Sequence, residues 1–123
     1  MKVLLSIKPE FALKIFNGSK KYEYRRTLFK HAEIDTIVVY ASDPIKKVIG
    51  EFKIESILHE EPQILWDQTG EYAGISRERF FDYFTDARKG YAIEVKSTHM
   101  YNDPLPLDSF MISAPPQSFA YIH

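Results

Sequence analysis

An acid and several bases are closely spaced in the segment from Gly18 to Arg25, which reads Gly-Ser-Lys-Lys-Tyr-Glu-Tyr-Arg. Lys20 and Arg25 can donate hydrogen bonds to a phosphate or a base edge, and Glu23 can accept from an exocyclic amine or hold the two cations in position. In a strand, Glu23 and Arg25 share one face, whereas Lys20 has the opposite parity. Convergence of the three therefore requires an irregular strand start just after Gly18. A solvated strand face with weak cross-strand ion pairs is the alternative interpretation.

The length and the charge of the chain limit which classes of protein it can belong to. The 123 residues predict a single domain, residues 1–123, that is large enough to bury a core without a disulfide or a structural metal. Lys and Arg number 16 and Asp and Glu number 17, which gives a formal charge of -1. Any site for a polyanion must therefore be local, because a broad basic face is absent.

Residue types that are missing or poorly spaced exclude several chemistries. The chain has no cysteine, which excludes disulfides, thiolate metal sites and a cysteine nucleophile. Its apolar runs are too short for a signal-peptide core or a membrane span, so we expect a cytoplasmic protein without membrane contact. Neither a metal nor another cofactor is expected, since no regular ligand spacing relates the four histidines, His31, His59, His99 and His123.

Hydrophobic patterning predicts a β-rich chain with inserted short helices. Gly18 follows the first helix as a left-handed cap, Gly50 marks a bulge or a close backbone approach, and Phe80 and Phe84 form the buried stripe of the last helix. The pattern predicts an α+β domain whose strands curl into a small barrel, with the 47–57 strand central and the 76–89 helix packed on it. Prolines 104, 106, 115 and 116 break the remainder into loops and short edge pieces. Strands are predicted over 2–8, 20–26, 34–41, 47–57 and 91–96, and helices over 9–16, 62–67 and 76–89.

The charged segment resembles the G-x-K-x-x-E-x-R motif of the ASCH domain family at all four fixed positions, Gly18, Lys20, Glu23 and Arg25. The likeness extends over nearly the whole chain, including the strand that ends in Tyr-Ala-Ser at 40–42, the Val-Ile-Gly-Glu-Phe strand at 48–52 and Gly-Tyr-Ala-Ile at 90–93. This resemblance implies a PUA-like mixed β-barrel with inserted short helices and a cleft at one end, lined by the motif. It also implies a role in binding RNA or modified nucleotides.

Some ASCH proteins are similar to enzymes, which gives the resemblance a second implication. Amidohydrolases of this kind remove an acyl group from a modified cytidine with a lysine, a threonine and a glutamate. The lysine corresponds to Lys20 and the glutamate most nearly to Glu71, whereas Glu23 stands where the threonine would be. A carboxylate there could act as a general base on water, with Lys20 stabilising an oxyanion. Other members resemble ribonucleases, for which the same residues would supply a base and a cation.

Two further residues are candidates once a cleft is expected beside the motif. Arg26 forms a small basic cluster with Arg25, Lys30 and His31, which is either a solvated edge or part of a nucleic-acid face. Ser42 is either a plain turn residue before Asp-Pro or a hydroxyl directed into the cleft. The candidate nucleic-acid-binding residues are thus Lys20, Arg25, Arg26 and Ser42.

Three hypotheses about function stay open. The first is a small domain that binds RNA or a nucleotide derivative and regulates transcription or translation. The second is an enzyme that hydrolyses an amide or a phosphodiester on a nucleoside or RNA through Lys20, Glu23 and Glu71, and the third is a protein-interaction module with a vestigial cleft. Of these we favour the first.

Overall fold

The chain folds into six strands, three α-helices and two 3-10 turns, described for all residues 1–123 by the computed structural model. None of the helices has the length and apolar character needed to cross a membrane. The strands are β1 (Lys2–Ile7), β2 (Tyr22–Arg25), β3 (Thr36–Ala41), β4 (Lys47–Glu60), β5 (Gly90–Leu105) and β6 (Phe119–Ile122), the helices are α1 (Pro9–Asn17), α2 (Pro62–Thr69) and α3 (Arg77–Tyr83), and the 3-10 turns are Gly70–Tyr72 and Leu107–Phe110.

One mixed sheet with strand order β2-β5-β4-β3-β1-β6 organises the molecule. The β1–β3 pair is parallel, and all other neighbours are antiparallel. The predicted central position of β4 is confirmed, because β4 lies between β5 and β3. Its register with β3 shifts at Gly50, where the His99 carbonyl and the Phe16 ring occupy the space that a side chain would need. The predicted irregularity at Gly50 is confirmed as well.

The sheet curls until its two edge strands approach each other, yet it does not close. Nη2 of Arg25, at the end of β2, donates to the carbonyl of Ser118, just before β6, at 2.9 Å. The rings of Phe29 and Phe119 meet edge to face across the same gap, with centroids 6.2 Å apart. No backbone ladder joins β2 to β6. The predicted α+β class is confirmed, whereas "barrel" is approximate because side chains, not paired strands, bridge the gap.

The main core fills the inner face of the curled sheet, and β1 and β3 are buried on both faces. Val3, Leu5, Ile37 and Val39 point into this core. Leu4 and Val38 pack on the opposite face with the half-buried Leu107 and Phe110 of the second 3-10 turn. Burial on both faces explains why these two strands are almost continuously apolar in the sequence.

Helix α3 contributes the predicted phenylalanine stripe to a second apolar cluster. Phe80 and Phe84 are 0% and 3% exposed, so their predicted burial is confirmed. They pack with Tyr24 of β2 and Ala92 of β5, whereas β4 contributes only the half-buried Leu58. The prediction that this helix packs on β4 was therefore wrong. The helix packs on β5 and β2, which follow β4 towards the edge of the sheet.

α3 ends earlier than predicted and β5 ends later, and the backbone near each end explains the difference. Ser76 caps α3 as predicted, accepting the N–H of Arg79 at 3.1 Å. The helix ends at Tyr83, not near residue 89, and Asp86 has a φ of 64°, which an α-helix does not accommodate. β5 continues past Pro104 because its pairing with β4 is irregular between Met100 and Leu105, and a bulged stretch tolerates a proline.

Candidate functional site

A cleft of about 490 Å³ opens between the end of β1, helix α1, strand β2 and helix α3. This volume lies within the range of about 300–1,000 Å³ that is typical of small-molecule sites. Four cationic side chains and two carboxylates contribute to its wall, so the cleft is locally positive in a nearly neutral chain. It is lined by Ser6, Ile7, Lys8, Phe11, Lys20, Glu23, Tyr24, Arg25, Ile75, Arg79, Asp82 and Tyr83.

Lys20 reaches the cleft from the connection between α1 and β2. Helix α1 ends at Gly18, whose φ of 87° is left-handed, and the Lys20 N–H then donates to the Lys14 carbonyl at 3.0 Å. β2 begins only at Tyr22, so Lys20 lies before the regular strand. The irregular strand start that the sequence required is present, and it allows Lys20, Glu23 and Arg25 to line one cleft.

The ammonium group of Lys20 is almost completely removed from water. The residue is 2% exposed, and its Nζ donates to the Ala73 carbonyl at 2.6 Å. Nζ also lies 4.8 Å from the centroid of the Tyr24 ring and 5.3 Å from that of Phe11, distances typical of cation–π contact. Burial lowers the pKa of Lys20 to about 8, against an opposing effect of the Glu23 carboxylate. A lysine with this pKa can both hold and release a proton near neutral pH.

The loop between the first 3-10 turn and α3 lies directly on the stem of Lys20. Gly74 has a φ of 66°, and a Cβ atom placed there would approach the Cβ, Cγ and Cδ of Lys20 to between 2.4 and 2.9 Å. The Tyr72 carbonyl accepts the N–H of Lys21 at 2.9 Å, which ties the same loop to the start of β2. Only a glycine fits at position 74, because both the backbone angle and the space exclude a side chain.

Glu23 and Arg25 form an ion pair inside the cleft. Glu23 is 7% exposed, and its Oε2 accepts from Nη1 of Arg25 at 3.4 Å. Arg25 also donates from Nη2 to the Ser118 carbonyl. A guanidinium carries five N–H donors, so three have no acceptor within the protein after these two bonds.

Tyr24 separates the cleft from the aromatic cluster behind it. Its hydroxyl lies 2.7 Å from Oγ1 of Thr69, and that hydroxyl in turn donates to the Leu65 carbonyl. Since Thr69 has a single hydroxyl proton, Tyr24 must be the donor. Burial raises the pKa of Tyr24 far above its usual range, so this tyrosine stays neutral.

Three residues singled out from the sequence lie outside the cleft lining. Arg26 is exposed and donates from Nη1 to the carbonyls of Tyr83 and Thr85, at 2.8 and 2.9 Å. Ser42 follows β3 in a turn, where its N–H donates to the Ile7 carbonyl at 2.9 Å. Glu71 is exposed on the first 3-10 turn. The structure thus brings together Lys20, Glu23 and Arg25 but not these three.

Helix α3 supplies cleft residues that the sequence analysis did not identify. Arg79, Asp82 and Tyr83 line the cleft, and their i, i+3, i+4 spacing places them on one face of α3. The helical periodicity that indicated the buried phenylalanines also places these three residues together, so the sequence held a signal for this second face. Arg79 is held by Glu10 at 3.2 Å, and its guanidinium carbon lies 4.8 Å from the centroid of the Phe11 ring.

No group of three or more histidine or acidic side chains converges in a way that could hold a metal ion.

The curled mixed sheet and the motif-lined cleft define a PUA-like α+β domain. The family model of the ASCH domain matches residues 5–102, and the chain belongs to the ASCH domain family. An ASCH domain-containing ribonuclease of Zymomonas mobilis is 34% identical over 123 residues, covering 97% of this chain and 82% of the relative. The crystal structure of ASCH from Zymomonas mobilis superposes with a TM-score of 0.91 at 31% identity, covering 99% of this chain and 87% of that one. The N-terminal domain of Staphylothermus marinus McrB shares the fold alone, with a TM-score of 0.52 at 16% identity over 91% of this chain and 81% of that one.

Proposed function

We propose that this protein binds single-stranded RNA in the cleft and cleaves it by attack of a ribose 2′-hydroxyl on the adjacent phosphodiester. The observation that carries the proposal is the buried Lys20, with a pKa of about 8, in the same cleft as the Glu23–Arg25 pair. The similarity to a protein named as a ribonuclease, over 97% of this chain, supports the same reaction class. We favour this enzyme over a domain that only binds RNA.

The cleft suits an unpaired nucleotide better than a duplex. Its volume of about 490 Å³ is that of a small-ligand site, and the aromatic residues Phe11 and Tyr83 lie in its wall. Unpaired bases can enter such a cleft and contact aromatic or guanidinium groups, whereas bases in an RNA helix stay stacked. Arg25 and Arg79 are placed to contact phosphate oxygens of the bound strand.

The three motif side chains can supply the steps of the reaction. Glu23 takes the proton of the 2′-hydroxyl, and that oxygen forms a bond to the neighbouring phosphorus. The bond from phosphorus to the 5′-oxygen breaks, and the ammonium of Lys20 gives a proton to this leaving oxygen. The products are a 2′,3′-cyclic phosphate and a free 5′-hydroxyl. Arg25 stabilises the charge that develops on the non-bridging oxygens.

Amide hydrolysis with Lys20, Glu23 and Glu71 receives less support. Glu71 is exposed on its 3-10 turn and does not line the cleft, so it is poorly placed to act with Lys20 on one substrate. The position of the nucleophilic threonine holds Glu23 in this chain. A cytoplasmic location remains part of the proposal. A regulatory effect on transcription or translation also remains part of it, because cleavage of RNA would change the amount of transcript.

The test measures cleavage and binding of a short single-stranded RNA by wild type and Glu23→Gln. We expect wild type to release a 2′,3′-cyclic phosphate product and Glu23→Gln to lower kcat by about a hundred-fold to ten-thousand-fold, because the general base acts in the transition state. Binding of an uncleavable RNA should change little. Glu55→Gln, which removes an exposed carboxylate of β4, is the matched control and should retain full activity.

Two results would contradict the proposal in different ways. Cleavage at an unchanged rate in Glu23→Gln would show that Glu23 is not the general base. Binding without any cleavage by wild type would leave an RNA-binding domain without enzymatic activity.

A further inference from the structure

Tyr83 presents an unused hydrogen-bond donor at the edge of the cleft. It is the last residue of α3, it is 40% exposed, and it lines the cleft together with Glu23 and Arg25. Its hydroxyl oxygen accepts the backbone N–H of Arg26 at 3.2 Å. The proton of that hydroxyl has no acceptor within the protein, so it is available to a ligand.

The position of this hydroxyl is fixed by contacts on both sides of Tyr83. In addition to the backbone N–H bond, Nη1 of Arg26 donates to the Tyr83 and Thr85 carbonyls, which holds the end of α3 against the end of β2. The Tyr83 ring also meets the buried Phe84 ring edge to face, with centroids 4.9 Å apart. A donor held in this way loses little conformational freedom when a ligand binds.

Burial keeps the Tyr83 hydroxyl protonated although two cations lie nearby. Burial raises the pKa of Tyr83 above its usual value, although Arg25 and Arg26 oppose this effect. The hydroxyl therefore remains a donor throughout the neutral pH range. Arg25, whose charge acts on the same hydroxyl, retains unpaired N–H groups.

We propose that the Tyr83 hydroxyl and the Arg25 guanidinium together form a subsite for one phosphate group of the bound RNA strand. A non-bridging phosphate oxygen accepts from both, and Arg26 positions the tyrosine without itself contacting the strand. The subsite rests on the proposed function, since it assumes that RNA occupies the cleft. It specifies how a contacted phosphate is recognised, by one neutral and one charged donor.

The test uses a six-nucleotide RNA made uncleavable by 2′-deoxy substitution, with the dissociation constant measured for wild type and for Tyr83→Phe. Loss of a hydrogen bond to a charged group should weaken binding by about ten-fold or more. The slope of affinity against salt should stay unchanged, because no charge is removed. Tyr72→Phe is the matched control: this exposed tyrosine lies outside the cleft lining, and its variant should bind as wild type does. Thermal unfolding checks that both variants are folded.

A second probe identifies the phosphate. Replacing each phosphate of the oligonucleotide in turn by an uncharged methylphosphonate should weaken binding to wild type most strongly at one position. The loss of affinity at that position should be smaller in Tyr83→Phe, because the hydroxyl that donates to this phosphate is already absent.

The outcomes separate this subsite from the ribonuclease proposal. Equal affinities of wild type and Tyr83→Phe would overturn the subsite even if RNA is cleaved, and they would point to ring stacking or to no contact at Tyr83. Absence of cleavage with an intact Tyr83→Phe effect would overturn the ribonuclease and leave the subsite standing. Absence of any RNA binding by wild type would overturn both.

Discussion

Lys20 carries a positive charge into a place that water scarcely reaches. Its one close acceptor is the Ala73 carbonyl, and the rings of Phe11 and Tyr24 and the Glu23 carboxylate provide the remaining stabilisation. These contacts do not fully replace water, which is why the pKa of Lys20 falls to about 8. The residue that we propose as the proton donor is thus also a source of instability.

The contribution of Lys20 to stability should depend on pH. Between pH 8 and 10.5 the unfolded chain still protonates Lys20 while the folded chain does not, so wild type gains stability relative to Lys20→Met as pH rises through this window, and the tyrosines that titrate near pH 10 are common to both proteins. The gain relative to Lys20→Met should reach about 3 kcal/mol, and below pH 8 the difference between the two proteins should be constant. Urea unfolding of both at pH 7, 8, 9 and 10 measures the effect. A difference that does not change with pH would mean that Lys20 titrates normally.

At the scale of elements, the loop after the first 3-10 turn decides where Lys20 lies. Its carbonyls at Tyr72 and Ala73 accept from Lys21 and Lys20, and Gly74 packs on the Lys20 stem. The loop comes from a part of the chain that is 53 residues away from Lys20 along the sequence. It therefore acts as a support for the cleft and not as a simple connection between helices.

Replacing Gly74 should affect activity more than an equally strained glycine elsewhere. Gly74→Ala and Gly18→Ala both place a side chain at a positive φ, and each should cost about 1 kcal/mol of stability or more. Only at position 74 would the new Cβ collide with the Lys20 stem, since nothing lies within 4 Å of a Cβ at Gly18. We expect RNA cleavage to fall at least ten-fold in Gly74→Ala and to stay closer to wild type in Gly18→Ala. Equal rates, measured where both variants are folded, would contradict the supporting role of the loop.

At the scale of the whole molecule, a formal charge of -1 coexists with a cleft where cations outnumber carboxylates. Under the proposed function, long-range attraction of RNA to the protein is weak, and the proposed pairing of phosphates with Arg25 and Arg79 must provide most of the electrostatic contribution. We therefore expect the protein to contact a few nucleotides and not a long strand.

RNA affinity should therefore fall only gently with salt. With two or three phosphates neutralised on a single strand, the logarithm of the binding constant should change with the logarithm of salt concentration by a slope of about -1 to -2. Arg25→Ala should weaken binding, while Lys96→Ala, which removes an exposed charge from β5, should not. Titrations over a range of salt concentrations measure the slope. A slope steeper than about -4 would reveal an extended basic surface.

The sequence alone determined the elements whose signals are local. Continuous apolar runs indicated the strands that are buried on both faces, and alternation indicated β4. Pro9 and Gly18 marked the ends of α1, and Phe80 and Phe84 showed the buried face of α3. The motif residues were found through family resemblance, since alternating charges on a strand do not by themselves distinguish a site from a solvated face.

The surroundings of those motif residues depend on contacts between distant parts of the chain. Arg25 binds the carbonyl of Ser118 at a separation of 93 residues, and Tyr83 binds the N–H of Arg26 at a separation of 57. Such contacts follow from the strand order and from the curl of the sheet, which periodicity in the sequence does not encode. For the same reason the sequence could not show that a loop buries Lys20, or that Arg79, Asp82 and Tyr83 face the cleft. The hydrophobic pattern of a segment determines which face of the helix or strand is apolar. Packing between elements that are distant in the sequence determines which residues the polar face contacts.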